Sequence, residues 1–167
     1  VNGQFNNLLD QFLVNPNLTA EEKQDMSFIR NLSDEMASTY DFHVDRPNRD
    51  AIVSNVATQR LIERDVTNVD SEIAVITLEV ETAVEEQLKR EGVDVTSPEY
   101  TAKKEAAINN DARIDSLNKK KESLNKAQEK YQEELDYETS DKALKDAKEK
   151  ELEDAIANVA SSEELDD

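Results

Sequence analysis

Two long segments with heptad-spaced apolar residues, separated by one short break, constrain the fold of this chain more than any other feature. The pattern covers residues 50–91 and 98–138, and residues 92–97 form the break. Two helices of near-equal length that are joined by a short loop fold back antiparallel. The sequence therefore predicts an all-α fold based on a long, coiled-coil-like helical hairpin, roughly 60 Å long at about 1.5 Å of rise per residue.

The first arm carries a seam of mostly branched apolar residues, which suits coiled-coil packing. Its a and d positions are Ile52, Asn55, Gln59, Ile62, Val66, Val69, Ile73, Ile76, Val80 and Ala83. Buried polar residues on such a seam fix the register of the helices and lower stability. Asn55 and Gln59 should therefore either meet a polar partner, such as Asn110 or Gln128, or lie at an open end of the hairpin.

The second arm is predicted to be a more polar helix that covers the first on one side. In a hairpin that turns near residue 95, Asn55 would lie opposite Leu135 and Gln59 opposite Tyr131. Leu135 and Tyr131 do not match the polar side chains of Asn55 and Gln59, so we expect residues 5–40 to support the open end. Gly92 is placed to end the first arm in a left-handed conformation, and Pro98 fits the first turn of the second.

A second apolar stripe on the first arm predicts contacts beyond the hairpin. It consists of Leu61, Val75, Leu78 and Leu88. One seam serves one partner helix, so two stripes indicate a bundle of at least three helices. The N-terminal helices are too short to follow the arm to its turn. We therefore expect Val75, Leu78 and Leu88 to contact another chain, in a homo-oligomer or with a docked partner.

The N-terminal region concentrates the bulky side chains, because all four Phe, both Met and the single His precede residue 44. Phe5, Leu9 and Phe12 lie on one face of a predicted short helix. The bulky side chains of this region either build a compact head or present a surface to a partner, and we expect these three to bind a partner protein. A capping box at Thr19 begins a helix that ends near Tyr40. The predicted organisation is an N-terminal head (1–47), the hairpin with a C-terminal helical extension (48–160) and an acidic tail (161–167).

Charge and composition exclude several classes of function. Asp+Glu is 39 against Lys+Arg 20, which gives a net charge of -19, whereas nucleic acids and anionic membranes bind clustered cations. The sequence has no cysteine for redox chemistry or thiolate ligands, and no apolar run that approaches the 20 or so residues of a membrane span. We therefore expect no nucleic-acid partner and no membrane span.

The residues that usually carry chemistry are sparse. The only glycines, Gly3 and Gly92, cannot form a phosphate-binding loop. Asp45, Asn48 and Asp50 could supply loop oxygens to a cation, but the glycine of an EF-hand is missing. His43 has Asp41 two residues away, yet no further residue completes a catalytic or metal site. The sequence predicts no catalytic, cofactor-binding or metal-binding residue and no cofactor.

These observations predict a non-enzymatic structural or assembly protein that acts through helical protein–protein contacts. Its general character is similar to that of acidic, helix-rich components of viral or secretion assemblies, although no motif is shared. The alternative is an acidic chaperone or inhibitor that masks a basic surface of its partner. Charge rather than apolar contact would then provide most of the affinity.

Overall fold

The fold is all-α, as the sequence predicts. A computed structural model describes residues 2–166, with side chains described for residues 3–162. This part of the chain is 86% helical, and it contains six helices and no strand. The helices are α1 (Asn2–Leu13), α2 (Ala20–Phe42), α3 (Arg49–Arg90), α4 (Pro98–Asn109), α5 (Ala112–Glu138) and α6 (Asp141–Asp166).

The chain divides into two compact units that share α3 and α5. The hairpin unit comprises Leu61–Lys130, and the terminal unit comprises the chain up to Arg60 together with the chain from Tyr131 onward. The predicted division into head, hairpin and tail is a different partition, and it stays a prediction. The side chains of most of the predicted acidic tail lie outside the described residues, although α6 itself extends to Asp166.

Local sequence signals set the helix ends. The Thr19 hydroxyl accepts a hydrogen bond from the Glu22 amide, which confirms the predicted cap at Thr19. The Ser97 hydroxyl accepts one from the Tyr100 amide and caps the start of α4. Gly92 has φ of 75°, a left-handed conformation that glycine adopts without strain. The Val93 amide donates to the Leu88 carbonyl at 3.0 Å. This pattern is a Schellman motif, which ends α3 and reverses the chain.

The second arm consists of two helices, α4 and α5. The apolar pattern had predicted one continuous helix over residues 98–138. Asn110 ends α4, and the backbone amides of Arg113 and Ile114 donate to the Asp111 carboxylate at 2.9 and 3.2 Å. Asp111 is therefore the N-cap of α5. Short polar side chains that bond to the nearby backbone favour a helix end over a helix interior, so the Asn-Asp pair is the physical cause of the break.

In the hairpin unit, polar contacts join α3 to α4 and α5 in antiparallel order. Lys104 Nζ lies 2.7 Å from Glu85 Oε1, and Lys121 Nζ lies 2.8 Å from Asp70 Oδ1. Between them Arg113 pairs with Glu79. In each of these pairs the carboxylate is on α3 and the cation is on the second arm. The buried apolar residues of this unit are Ile62, Val69, Leu88 and Ile114.

In the terminal unit, α1 packs against α2, and α2 is tied to the start of α3. Asn6 Nδ2 donates to Asp34 Oδ1 at 2.9 Å, and Arg30 Nε donates to Asp10 Oδ1 at 3.0 Å. The Arg60 Nε group donates to both carboxylate oxygens of Glu35 at 2.9 Å. These contacts agree with the expectation that N-terminal helices support the start of the long helix.

Candidate protein-interaction surface

A stripe of exposed apolar side chains runs along α3 within the hairpin unit. This α3 stripe consists of Leu61, Val75 and Leu78, which are 48%, 59% and 64% exposed. A shallow apolar groove beside it is lined by Ser71, Glu72, Val75 and Ile76. Val75 and Leu78 are three residues apart, so they share one helix face. The buried positions Val69 and Ile62 belong to a different face, and the α3 stripe is therefore separate from the core.

Leu88 does not belong to this stripe, which corrects the sequence prediction. It is 2% exposed and lies in the core of the hairpin unit. A straight α-helix has 3.6 residues per turn, so its inward face drifts by about 20° in each heptad. Near the turn this drift moves the inward face from Ala83, which is exposed, to Val84 and Leu88. A strict seven-residue repeat therefore assigned Leu88 to the wrong face.

The N-terminal helix presents a smaller apolar face. Phe5 and Phe12 are exposed, together with Leu8 on the same side of α1. Leu9 is buried, because it lies on the side of α1 that carries the buried Asn6 and packs against α2. The broad apolar face expected from the sequence is thus divided, and of the three predicted partner-binding residues only Phe5 and Phe12 remain available.

The two polar seam residues satisfy each other instead of meeting Asn110 or Gln128. Gln59 Nε2 donates to Asn55 Oδ1 at 2.9 Å, and Asn55 Nδ2 donates to the backbone carbonyl of Tyr131 at 2.9 Å. Both side chains are buried. Gln128 lies elsewhere and donates to Glu63. The polar part of the seam is therefore a hydrogen-bonded pair that is joined to the main chain of α5.

The loop between α2 and α3 clasps the junction between α5 and α6, a contact that sequence reasoning missed. Arg46 Nη2 donates to the carbonyls of Glu138 and Ser140 at 2.9 and 2.8 Å, and Asn48 Nδ2 donates to the same Glu138 carbonyl at 2.9 Å. Carbonyls at the end of a helix have no partner within the helix. The clasp satisfies them. The Asn48 Oδ1 atom, which a cation would have to contact, instead accepts a hydrogen bond from Arg46 Nε at 3.5 Å.

His43, the single histidine of the sequence, directly follows the last residue of α2. His43 contacts the Phe42 ring edge-on, and burial followed by the charge of Arg46 lowers its pKa. No group of three His, Asp or Glu side chains in that range could hold a metal ion. None of the described helices combines the length and the apolar character needed to cross a bilayer.

Comparison of this chain with protein-family models, with curated proteins and with solved structures gives no match.

Proposed function

We propose that this protein is a non-enzymatic structural or assembly component that binds another protein chain through the α3 stripe. The observation that carries the proposal is the exposure of Val75 and Leu78 side by side on the 42-residue helix α3. Fully burying a Leu or Val side chain stabilises by roughly 1.5–3 kcal/mol. A partner helix laid along this face would gain that free energy from each residue it covers.

The neighbouring side chains favour a protein partner. The groove beside Val75 is lined by apolar side chains together with the polar residues Ser71 and Glu72, and protein interfaces typically combine apolar and polar groups. Amphipathic helices commonly dock in such grooves through residues spaced three and four apart. The carboxylate of Glu72 favours a partner helix that carries lysine or arginine beside its apolar positions.

The test compares two double variants of equal added charge. Val75→Glu with Leu78→Glu places carboxylates on the α3 stripe, whereas Ser116→Glu with Ser123→Glu places them at exposed positions of α5 in the same unit. Affinity capture from the native source, followed by mass spectrometry, should recover a specific protein with the wild type and the α5 variant but not with the α3 variant. Equal recovery with both variants would refute the role of the stripe.

The alternative function is an acidic chaperone or inhibitor, which the net charge of -19 favours. Charge pairing at a surface weakens as salt shortens the screening length to about 8 Å at physiological ionic strength. Partner binding of this kind should therefore collapse as salt rises from 0.05 to about 0.5 M, and it should be insensitive to the α3 variant. Binding through the α3 stripe should survive the same change in salt.

A further inference from the structure

Helix α4, beside the Gly92 turn of the hairpin unit, is held with little burial of its own side chains. None of its 12 residues, all of which the structure describes, is buried. Eight are exposed, and the half-buried ones are Tyr100, Lys104, Ala107 and Ile108. An isolated helix of about 12 residues is marginally stable in water, since packing supplies most helix stability in proteins. The order of α4 therefore depends on its contact with α3.

The helical path is interrupted at both ends of α4. Gly92, with φ of 75°, lies in the turn before it, and Asn110 ends it. Helix α5 then begins independently, because the Asp111 carboxylate caps its first amides and Ile114, in its first turn, is buried. The start of α5 therefore does not require α4 to stay docked on α3.

Two ion pairs tie α4 to the last turns of α3, on either side of Leu88. Lys104 Nζ lies 2.7 Å from Glu85 Oε1, and Lys103 Nζ lies 3.7 Å from Glu91 Oε2. Glu85, Leu88 and Glu91 follow one another at spacings of three, so they lie on the same side of α3. A helix that contacts both carboxylates passes over Leu88, which is 2% exposed.

We propose that α4 is a flap, which reversibly leaves α3 between the Gly92 turn and the Asn110–Asp111 break and uncovers Leu88 while α5 stays in place. An exposed ion pair changes such an equilibrium by roughly fivefold at most, so the burial of Leu88 contributes more to the closed state than either pair does. Opening adds an apolar side chain to the accessible surface of α3. The flap is independent of the α3 stripe, which is exposed while the flap is closed.

The first test compares two truncations of equally buried side chains by amide hydrogen exchange of the full chain, followed by NMR. Val69 is also 2% exposed, but the adjacent Asp70 pairs with Lys121 of α5, so Val69 stays covered when the flap opens. Leu88→Ala should speed exchange of the α4 amides roughly 30-fold or more, because it weakens only the closed state. Val69→Ala should leave that exchange within about twofold of the wild type, although it lowers the free energy of global unfolding.

The other outcomes of this comparison overturn the proposal. Equal acceleration of α4 exchange by the two truncations would show that α4 opens only when the whole hairpin unfolds. Unchanged exchange in Leu88→Ala would show that α4 does not cover Leu88. The wild type provides a measurement without any substitution: its α4 amides should exchange through an opening less sensitive to urea than global unfolding is. A sensitivity equal to that of global unfolding would also overturn the proposal.

The second test reverses the charges of one tie between α4 and α3. Glu85→Lys and Lys104→Glu should each speed α4 exchange roughly twofold to fivefold. The chain that carries both substitutions should return toward the wild-type rate, because the pair is restored with its charges exchanged. The control is Glu72→Lys, which makes the same charge change at an exposed position 13 residues before Glu85 and should leave α4 unaffected. Equal acceleration by the control, or no recovery in the doubly substituted chain, would refute the role of this pair in closing the flap.

Discussion

The side-chain amide of Gln59 donates to the side-chain carbonyl of Asn55, one helical turn earlier on α3, and both residues are buried. The side-chain amide of Asn55 in turn donates to the backbone carbonyl of Tyr131. Asn55→Ala would leave the Gln59 amide and the Tyr131 carbonyl without these partners. We expect it to lower the free energy of unfolding by about 1–3 kcal/mol, measured by urea denaturation.

Replacing both residues of this network should have the opposite effect. Asn55→Leu with Gln59→Leu removes both polar groups at once, and such a change is nearly neutral or stabilising when shape is kept. The seam then loses the residues that fix its register. We expect equal or higher unfolding free energy together with broadened amide resonances in NMR spectra. A double variant less stable than Asn55→Ala would contradict this account.

Leu78 and Leu88 should respond very differently to truncation. Leu88→Ala removes a side chain from the core and should lower the unfolding free energy by about 2–5 kcal/mol. Leu78→Ala acts at an exposed site, where substitutions usually change stability by less than about 0.5 kcal/mol. Thermal and urea denaturation of the two variants measures the contrast. Equal losses of stability would mean that Leu78 is covered by another chain under the conditions used.

The helices could be predicted from the sequence, but the helix face of Leu88 could not. Apolar periodicity, the Thr19 cap, Gly92 and Pro98 predicted the helical fold and the reversal of the chain, because these signals are local. The helix face predicted for Leu88 was wrong, because a small error in the assumed repeat accumulates along a helix of 42 residues. The Asp111 cap was readable from the sequence, since Asn and Asp favour helix ends, but the apolar pattern continued across it.

Arg46 should control the order of the junction between α5 and α6. Arg46→Ala removes the donor to the carbonyls of Glu138 and Ser140. Hydrogen bonds from charged groups contribute about 1.5–3 kcal/mol, so amide hydrogen exchange over residues 139–147 should accelerate by at least tenfold. Arg46→Lys keeps the charge but not the planar donor group. Its exchange rate over residues 139–147 should therefore lie between those of the wild type and Arg46→Ala. Unchanged exchange in the alanine variant would show that the clasp does not stabilise the junction.

Glu138 should lower stability near neutral pH. Burial, and then the nearby charge of Glu134, raises its pKa, so the folded state holds this proton more tightly than the unfolded state does. Its ionised form therefore destabilises the fold above the raised pKa, and the effect disappears below the ordinary carboxyl pKa of about 4.3.

Glu138→Gln should accordingly unfold at higher urea concentration than the wild type at pH 7, and the difference should shrink toward zero by about pH 4. The control is Glu133→Gln, which removes one carboxylate at an exposed position of the same helix. A gain that is as large for Glu133→Gln, or that persists unchanged at low pH, would show that overall charge and not the half-buried Glu138 is responsible.

No local signal could have revealed the clasp, because Arg46 lies 92 residues from Glu138 in the sequence. The same limit applies to the surface residues. Periodicity identified Val75 and Leu78 as lying off the seam, but it could not determine what covers them.

The long reach of the clasp has a consequence for the order of folding. Lys104 and Glu85 are 19 residues apart, whereas Arg46 and Ser140 are 94 apart. The entropy lost in closing a loop grows with the length of the loop, so contacts close to the Gly92 turn have the kinetic advantage. The hairpin should therefore close from the turn outward, and the clasp should be among the last contacts to form as the chain folds.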